Sequence, residues 1–268
     1  MLNKLIQLNA HVIVPLKHYG LKISGLLADA SVMKMIIDRG GDYEPHATSY
    51  ISCILKEGDT FVDIGANMGY FTMIGSKLVG KSGKVLAFEP LTINMKFLEQ
   101  NLKLNNLDTD SNVACFQYGI WNEDTYKEVN FNRNLGITHI TSPDCPGYHQ
   151  DQKETIHCIP FDSFNEQDLG KIKLIKMDVE GAEPFALMGM RRTIEEHRPI
   201  MVIELNRDCL RKYFKVDSDS IWNQLKELGY EIYTFFENKP ITKMLTLEQL
   251  NSVCPANNYI DLIALPQG

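Results

Sequence analysis

FVDIGANMGYFT, residues 61–72, is the stretch that decides the fold class, because an apolar run breaks into glycines and then becomes apolar again. Glycine allows the tight backbone conformations, and the close approach of a ligand, that such a turn requires. A strand that ends near Asp63, a turn over residues 65–69 and a helix that begins near Met68 together predict the first βα unit of a nucleotide-type fold. The ligand should therefore lie across this turn.

The rest of the chain alternates short β-rich runs with helical stretches, which is typical of a parallel sheet covered on both faces. The predicted strands are residues 60–64, 84–89, 113–118, 172–178, 199–205, 231–236 and 259–264. The predicted helices are residues 68–79, 92–105, 183–197 and 218–228. No repeat, low-complexity run or linker separates these elements, so the sequence predicts one α/β domain.

The composition excludes several classes of protein. With 268 residues, 44% of them hydrophobic, the chain can bury a full core, which argues against disorder. The net charge of −7 offers no attraction to a phosphate backbone, so we expect no nucleic-acid partner. Six scattered cysteines form neither a CxxC pair nor a zinc-spaced cluster with histidine. They indicate free thiols in a reducing compartment, the cytoplasm.

Residues 1–40 contain an apolar stretch that Lys4, His11, Lys17 and Lys22 interrupt. It is too short and too charged to span a bilayer, and it lacks the order of regions of a signal peptide. We interpret residues 1–40 as an amphipathic, helical cap on a domain that covers residues 41–268. Loose contact with a membrane surface is the alternative interpretation.

Residues 122–164 do not follow the alternation of strands and helices. They mix Asn, Asp, Gly, Pro and Thr with short β-like pieces, TYKEVNFN and ETIHCIPFD. The pattern predicts an inserted hairpin and loop over the carboxyl edge of the sheet, where insertions commonly shape a substrate pocket.

The spacing of the turn points to its ligand. A dinucleotide fingerprint needs G-x-G-x-x-G, but here Asn67 stands between Gly65 and Gly69. Twenty residues after Gly69, at the end of a predicted strand, Glu89 can accept hydrogen bonds from both hydroxyls of a ribose. Either feature alone could be structural, as a packing turn or as an acid at a helix start. Together they favour an adenosine without phosphates, and hence S-adenosylmethionine.

Longer stretches resemble one protein family. FVDIGANMGYFT, KVLAFEPLTINMKFLEQNLKLNN and, most specifically, IKMDVEGAEPFALMGM followed by RPIMVIELN are similar to the FkbM family of S-adenosylmethionine-dependent methyltransferases. The similarity extends over about residues 40–265. It implies the Rossmann-like fold of class I methyltransferases, a seven-stranded, mostly parallel sheet whose last strand is antiparallel. It also implies methyl transfer to a hydroxyl of a sugar, glycan or glycosylated metabolite.

The family resemblance also assigns residues to the cofactor. By motif, the methionine and adenosine cradle would consist of Asp63, Gly65, Asn67 and Gly69, with Glu89 on the ribose. Tyr43 and Glu44 would close over the cofactor. Independently of the family, alternation along the predicted strand end puts Asp178 and Glu180 on a similar side, with Asp178 facing the methyl group. Residues 122–164 match the family poorly in detail, so the resemblance leaves the acceptor unidentified.

Methyl transfer to an alcohol requires either a base near the hydroxyl proton or a metal that lowers its pKa. Asp178 and Glu180, at the end of a predicted strand, are the candidate catalytic acids, and either could take the proton. Glu183 precedes Pro184 in the first turn of a predicted helix, which favours a structural role for it. Asp178, Glu204 and Asn206 together could bind magnesium or manganese. We favour an orienting role for these oxygens over metal binding.

Several other residues are candidates for a role at the site or on the surface. His139 is a second candidate base, Trp121 could stack on a sugar ring, and Arg191 and Arg192 are expected to pair with Glu195 and Glu196 on a helix surface. Two other functions remain open as alternatives, namely an NAD-dependent oxidoreductase and a non-catalytic binding module. The missing middle glycine and the lack of a Tyr-x-x-x-Lys pair disfavour the first. The presence of Gly65, Gly69, Glu89 and Asp178 disfavours the second.

Overall fold

The computed structural model describes residues 10–27, 29, 32–108, 112–131, 138–140, 152–164, 169–235, 241–254 and 259–267. In chain order, its strands are β1 His11–Pro15, β2 Lys22–Leu26, β3 Thr60–Ile64, β4 Lys84–Phe88, β5 Val113–Phe116, β6 Gly119–Ile120, β7 Thr125–Phe131, β8 Thr138–Ile140, β9 Gln152–Ile159, β10 Ile172–Met177, β11 Ile200–Asn206, β12 Tyr230–Thr234, β13 Thr242–Met244 and β14 Tyr259–Pro266.

The helices lie between these strands. They are Val32–Asp38, Pro45–Ile54, Tyr70–Val79, Thr92–Leu104, Glu183–Gly189, Arg191–His197, Arg207–Cys209, Ser218–Glu227 and Leu247–Val253, with a 3-10 turn at Phe161–Ser163 and a π-helical turn at Leu210–Phe214. The predicted helix over residues 183–197 is interrupted at Met190. In the part of the chain that the structure describes, no helix is long and apolar enough to cross a bilayer.

Within the described residues, the central sheet has eight strands in the order β13-β12-β14-β11-β10-β3-β4-β5. Strands β10, β11, β3, β4 and β5 are parallel, whereas β14 runs antiparallel to both β11 and β12. All seven predicted strands are therefore present, and the reversed last strand is confirmed. The count of seven is wrong for this mixed sheet, because the short strand β13 extends the edge beyond β12.

Apolar residues cover both faces of the central sheet. Val62 and Ile64 of β3 belong to one buried cluster, whereas Phe61, on the same strand, belongs to a second. Successive side chains of a strand point to opposite faces, so the two clusters lie on opposite sides of the sheet. Burial on both sides explains why β3 has no exposed residue and why most of its residues are apolar.

The amino-terminal segment differs from the predicted helical cap. Strands β1 and β2 pair antiparallel as a hairpin, with His11 opposite Leu26, and the helix Val32–Asp38 follows. The prediction of a helical cap is therefore wrong for residues 11–26, and residues 1–9 lie outside the described residues. Side chains of the hairpin and of this helix, among them Ile23 and Met33, pack into the second apolar cluster.

The predicted insertion contributes most of a second, four-stranded sheet, in the order β6-β9-β7-β8. Strands β7 and β9 pair antiparallel over seven residues, as a hairpin should. Trp121 and Ile156 pack with Leu91 and Ala182, which follow central strands β4 and β10. The insertion therefore lies over the carboxyl edge of the central sheet, as the sequence predicted.

Candidate functional site

The glycine-rich turn after β3 has backbone conformations that few residues can adopt. Gly65 and Gly69 have φ values of +81° and +91°, and Asn67 has a φ of +51°. Asparagine tolerates this left-handed region better than most residues do. A Cβ atom on Gly65 would overlap with the backbone carbonyl oxygen of Asp178. The turn therefore brings the ends of β3 and β10 into direct backbone contact.

Glu89 joins this turn to the end of β4. Its carboxylate accepts hydrogen bonds from the backbone N–H groups of Asn67 and Leu91, both at 2.9 Å, and from the amide of Asn94 at 3.3 Å. Burial raises the pKa of Glu89 to about 7, although the two backbone N–H groups lower it. A carboxylate has about four lone-pair sites, so Glu89 retains capacity for a further donor. The two features that the sequence paired are thus in contact.

Asp63 lies at the end of β3, with 1% of its surface exposed. Its carboxylate accepts a hydrogen bond of 2.6 Å from the Thr72 hydroxyl, on the helix after the turn. Burial raises the pKa of Asp63 to about 6, opposed by the nearby Lys176 ammonium and the Thr72 hydroxyl. Asp63 therefore holds the helix against the strand.

Lys176 is a cation that the sequence analysis did not single out. It is 2% exposed, on β10 directly beside Asp63 of β3, and its ammonium lies 4.6 Å from the centre of the Phe71 ring. The ammonium is 3.0 Å from Asp178 Oδ2. Burial lowers the pKa of Lys176, but the carboxylates of Asp178, Glu44 and Asp63 outweigh this effect and raise it well above its usual value. A lysine inside a mostly apolar strand, IKLIKM, was the sequence signal for it.

Asp178 and Glu180 follow β10, which ends at Met177. The predicted strand end at Asp178 is thus one residue too long, and Glu180 adopts a φ of +53°, so strand alternation does not place these side chains. Glu180 Oε2 accepts hydrogen bonds from the Asn206 amide at 3.3 Å and from the Cys209 thiol at 3.5 Å. Burial, with the charge of Asp178, raises the pKa of Glu180 to about 7.

Glu183 is fully buried at the start of its helix and accepts hydrogen bonds from the backbone N–H groups of Val179 and Gly181. This geometry agrees with the structural role predicted for it, because the carboxylate closes the loop that carries Asp178 and Glu180. Burial raises the pKa of Glu183 to about 8.

Two further carboxylates reach the same edge. Glu44 precedes the helix Pro45–Ile54 with a φ of +42°, and Glu204 lies in β11. One oxygen each from Glu44, Asp178 and Glu204 lies within 4.8 Å of the other two. Burial, with the charge of Asp178, raises the pKa of Glu204 well above its usual value. The sequence had placed Glu44 at the cofactor and Glu204 in a candidate metal site, without joining them.

Asn206 has a different set of contacts. Its side-chain oxygen accepts from the backbone N–H of Cys209, which caps the short helix Arg207–Cys209, and its amide group donates to Glu180. The asparagine therefore holds the loop after β11 against the loop after β10. Its predicted part in a metal site finds no support in these contacts.

The remaining candidates fall outside the site or are structural. Trp121 is 5% exposed and stacks on Phe185 at a centroid distance of 4.2 Å, so its ring is not free to stack on a sugar. Arg191 pairs with Glu195 as predicted, but Arg192 contacts Asp162 instead of Glu196. His139 lies in β8, and its side chain falls outside the described residues. The described cysteines are free thiols.

Known proteins match this chain over most of the central sheet. Residues 63–232, more than half of the chain, match the family described as the Methyltransferase FkbM domain. Methyltransferase 1 of Beauveria bassiana (strain ARSEF 2860) is 29% identical over 150 residues, which cover 49% of this chain and 59% of that protein. The match thus spans less than two thirds of the length of this curated relative.

Two solved structures are also similar to the chain. Methyltransferase FkbM from Methylobacillus flagellatus KT has a TM-score of 0.49 at 18% identity, covering 81% of this chain and 50% of that chain. An rRNA methylase from Streptococcus thermophilus has a TM-score of 0.46 at 10% identity, covering 83% of this chain and 95% of that chain.

Proposed function

This chain belongs to the FkbM methyltransferase family, and from that premise we propose that it transfers a methyl group from S-adenosylmethionine to a hydroxyl of a sugar, glycan or glycosylated metabolite. The observation that carries the proposal is the contact between the glycine-rich turn and Glu89, through the Asn67 N–H at 2.9 Å. It joins the two features expected of an adenosine site without phosphates.

The residues present fit this cofactor. The methionine and adenosine parts of the cofactor would be held by Gly65, Asn67 and Gly69. Glu89 would accept hydrogen bonds from the ribose hydroxyls with its remaining lone pairs. Asp63 would support the turn from its buried side. When bound, S-adenosylmethionine supplies a methyl group on a positively charged sulfur. The acidic side chains around Lys176 favour a positive charge nearby. Glu44, in the loop beside the site, is proposed to close over the cofactor.

The chain's own residues must align the acceptor oxygen, exclude water and remove a proton. We propose that Glu180 is the base that removes this proton. It lies at the carboxyl edge beside Asp178, and its pKa, raised to about 7, suits a base near neutral pH. Asp178 is held by the Lys176 ammonium at 3.0 Å, which suits a positioning role. The acceptor is proposed to bind between this loop and the inserted sheet. The net charge of −7 supports an acceptor other than nucleic acid.

The test is turnover with S-adenosylmethionine and a panel of glycosides, read by mass spectrometry as the gain of one methyl group. Glu180→Gln is expected to lower kcat by about 10²- to 10⁴-fold, the usual contribution of a general base, with cofactor affinity unchanged. In the unmodified protein, kcat/KM should rise with pH around an apparent pKa of about 7. Full turnover by Glu180→Gln would show that another group takes the proton. If Asp178→Asn kept full activity, its positioning role would be wrong.

A further inference from the structure

Three carboxylates that are far apart in sequence converge at one point of the sheet edge. They come from the loop before the helix Pro45–Ile54, from the loop after β10 and from β11, as Glu44, Asp178 and Glu204. One oxygen of each lies within 4.8 Å of the other two. Two oxygens on opposite sides of a Mg²⁺ ion are about 4.0–4.2 Å apart. Separations of at most 4.8 Å therefore let one ion contact all three oxygens after small movements of the side chains.

Among the described residues, two of these carboxylates have an oxygen that accepts no hydrogen bond. Glu204 is 8% exposed, and in the described part of the chain no group donates a hydrogen bond to its carboxylate. Glu44 Oε2 is also buried without a hydrogen-bond partner among the described residues. Buried polar atoms are nearly always paired, because an unpaired one destabilises the folded state. Both carboxylates therefore have an oxygen without a hydrogen-bond donor where they converge, although Glu44 Oε2 also lies 3.7 Å from the Lys176 ammonium.

The Lys176 ammonium compensates only part of the negative charge of these carboxylates. Its ammonium is 3.0 Å from Asp178 Oδ2 and 3.7 Å from Glu44 Oε2, and the second distance is too long for a hydrogen bond. The acidic groups at this edge outnumber the one ammonium, because Asp63 and Asp261 also lie near Lys176. A divalent cation compensates such an excess of acidic groups, and an all-oxygen ligand set selects a hard ion.

We propose that Glu44, Asp178 and Glu204 bind a divalent cation of the Mg²⁺ or Mn²⁺ type. Water completes its coordination shell, and an oxygen of the acceptor can take one of these positions. In that position the cation would hold the acceptor hydroxyl next to Glu180 and would lower the pKa of this hydroxyl. This catalytic part rests on the proposed function, whereas cation binding itself does not.

The test is a titration of the full chain with MnCl₂, without cofactor or acceptor, followed by electron paramagnetic resonance of the free ion. We expect one saturable site. Glu204→Gln and Glu44→Gln, which keep the side-chain size and remove the charge, should weaken Mn²⁺ binding by at least 10- to 100-fold, as the loss of a ligand should. Glu183→Gln is the matched control, because Glu183 is buried at the same edge but its carboxylate points to Val179 and Gly181 N–H groups. It should keep the affinity.

The outcomes are distinguishable. No saturation up to about 1 mM, the weak end of protein Ca²⁺ sites, would overturn the proposal. Equal losses in Glu204→Gln and Glu183→Gln would also overturn it, because they would indicate a general effect of replacing a buried acid at this edge. Thermal unfolding of each variant shows that the fold is kept. A protein that binds S-adenosylmethionine but not Mn²⁺ contradicts only this inference, and one that binds Mn²⁺ but not S-adenosylmethionine contradicts only the proposed function.

Discussion

Replacement of Gly65 by alanine tests the backbone contact on which the site depends. Gly65 has a φ of +81°, where an L-residue costs about 1–2 kcal/mol. A Cβ atom would also overlap with the carbonyl oxygen of Asp178, which is backbone and cannot move aside as a side chain can. Overpacking of this kind costs about 1–3 kcal/mol. We therefore expect Gly65→Ala to lower the free energy of unfolding by about 2–5 kcal/mol.

Gly58→Ala is the matched control for this variant. Gly58 has a φ of +89°, nearly that of Gly65, but the nearest atom to its Cβ position is Ser82 Oγ, at 3.8 Å. Gly58→Ala should therefore show the backbone cost alone, about 1–2 kcal/mol. Urea unfolding measures both variants, and calorimetry with S-adenosylmethionine should show lost affinity for Gly65→Ala only. If the two variants were equally stable, the close contact between the turn and Asp178 would not matter, and the reasoning would be refuted.

Three further predictions concern the same edge of the sheet. Glu89→Gln should weaken S-adenosylmethionine binding by about 10- to 150-fold, the loss of a charge-assisted hydrogen bond worth about 1.5–3 kcal/mol; unchanged affinity in calorimetry would contradict the ribose assignment. In the folded protein the pKa values of Glu89 and Glu183 are raised to about 7 and 8, so the native state retains protons that the unfolded chain has released. The free energy of unfolding should therefore fall as the pH rises from about 5 to 8. In urea unfolding across that pH range, the free energy of unfolding should fall less for Glu183→Gln than for the unmodified protein. An equal fall in both would contradict the raised pKa of Glu183. Trp121→Ala should cost about 3–5 kcal/mol, since the ring is buried on Phe185; a loss below about 1 kcal/mol would mean that Trp121 is a free binding surface instead.

Much of the central sheet could be predicted because its signals are local. Apolar runs that end in a glycine turn or a strand-end acid locate β3, β4 and β10 without knowledge of their neighbours. Strand β13 escaped prediction because three residues at a sheet edge carry almost no pattern. The hairpin of β1 and β2 was missed because its apolar residues were read as an amphipathic helix, although HVIVP is rich in β-branched residues.

The parts of the site that lie within single sequence motifs could be predicted. Glu89 and the turn from Gly65 to Gly69 lie about twenty residues apart, and their spacing implies contact. The meeting of Glu44 with Glu204 depends on how the loop before the helix Pro45–Ile54 packs against β11, which no local pattern encodes. Lys176 carried a signal, since a charged residue in a buried strand needs partners, but its partners came from three other segments.

Cofactor binding is the claim on which the rest of the account depends. Calorimetric titration of the purified protein with S-adenosylmethionine, and in a separate run with NAD, tests it most directly. The account predicts saturable binding of S-adenosylmethionine and none of NAD. Binding of NAD alone would contradict the assignment of the turn from Gly65 to Gly69 and return the chain to the oxidoreductase alternative.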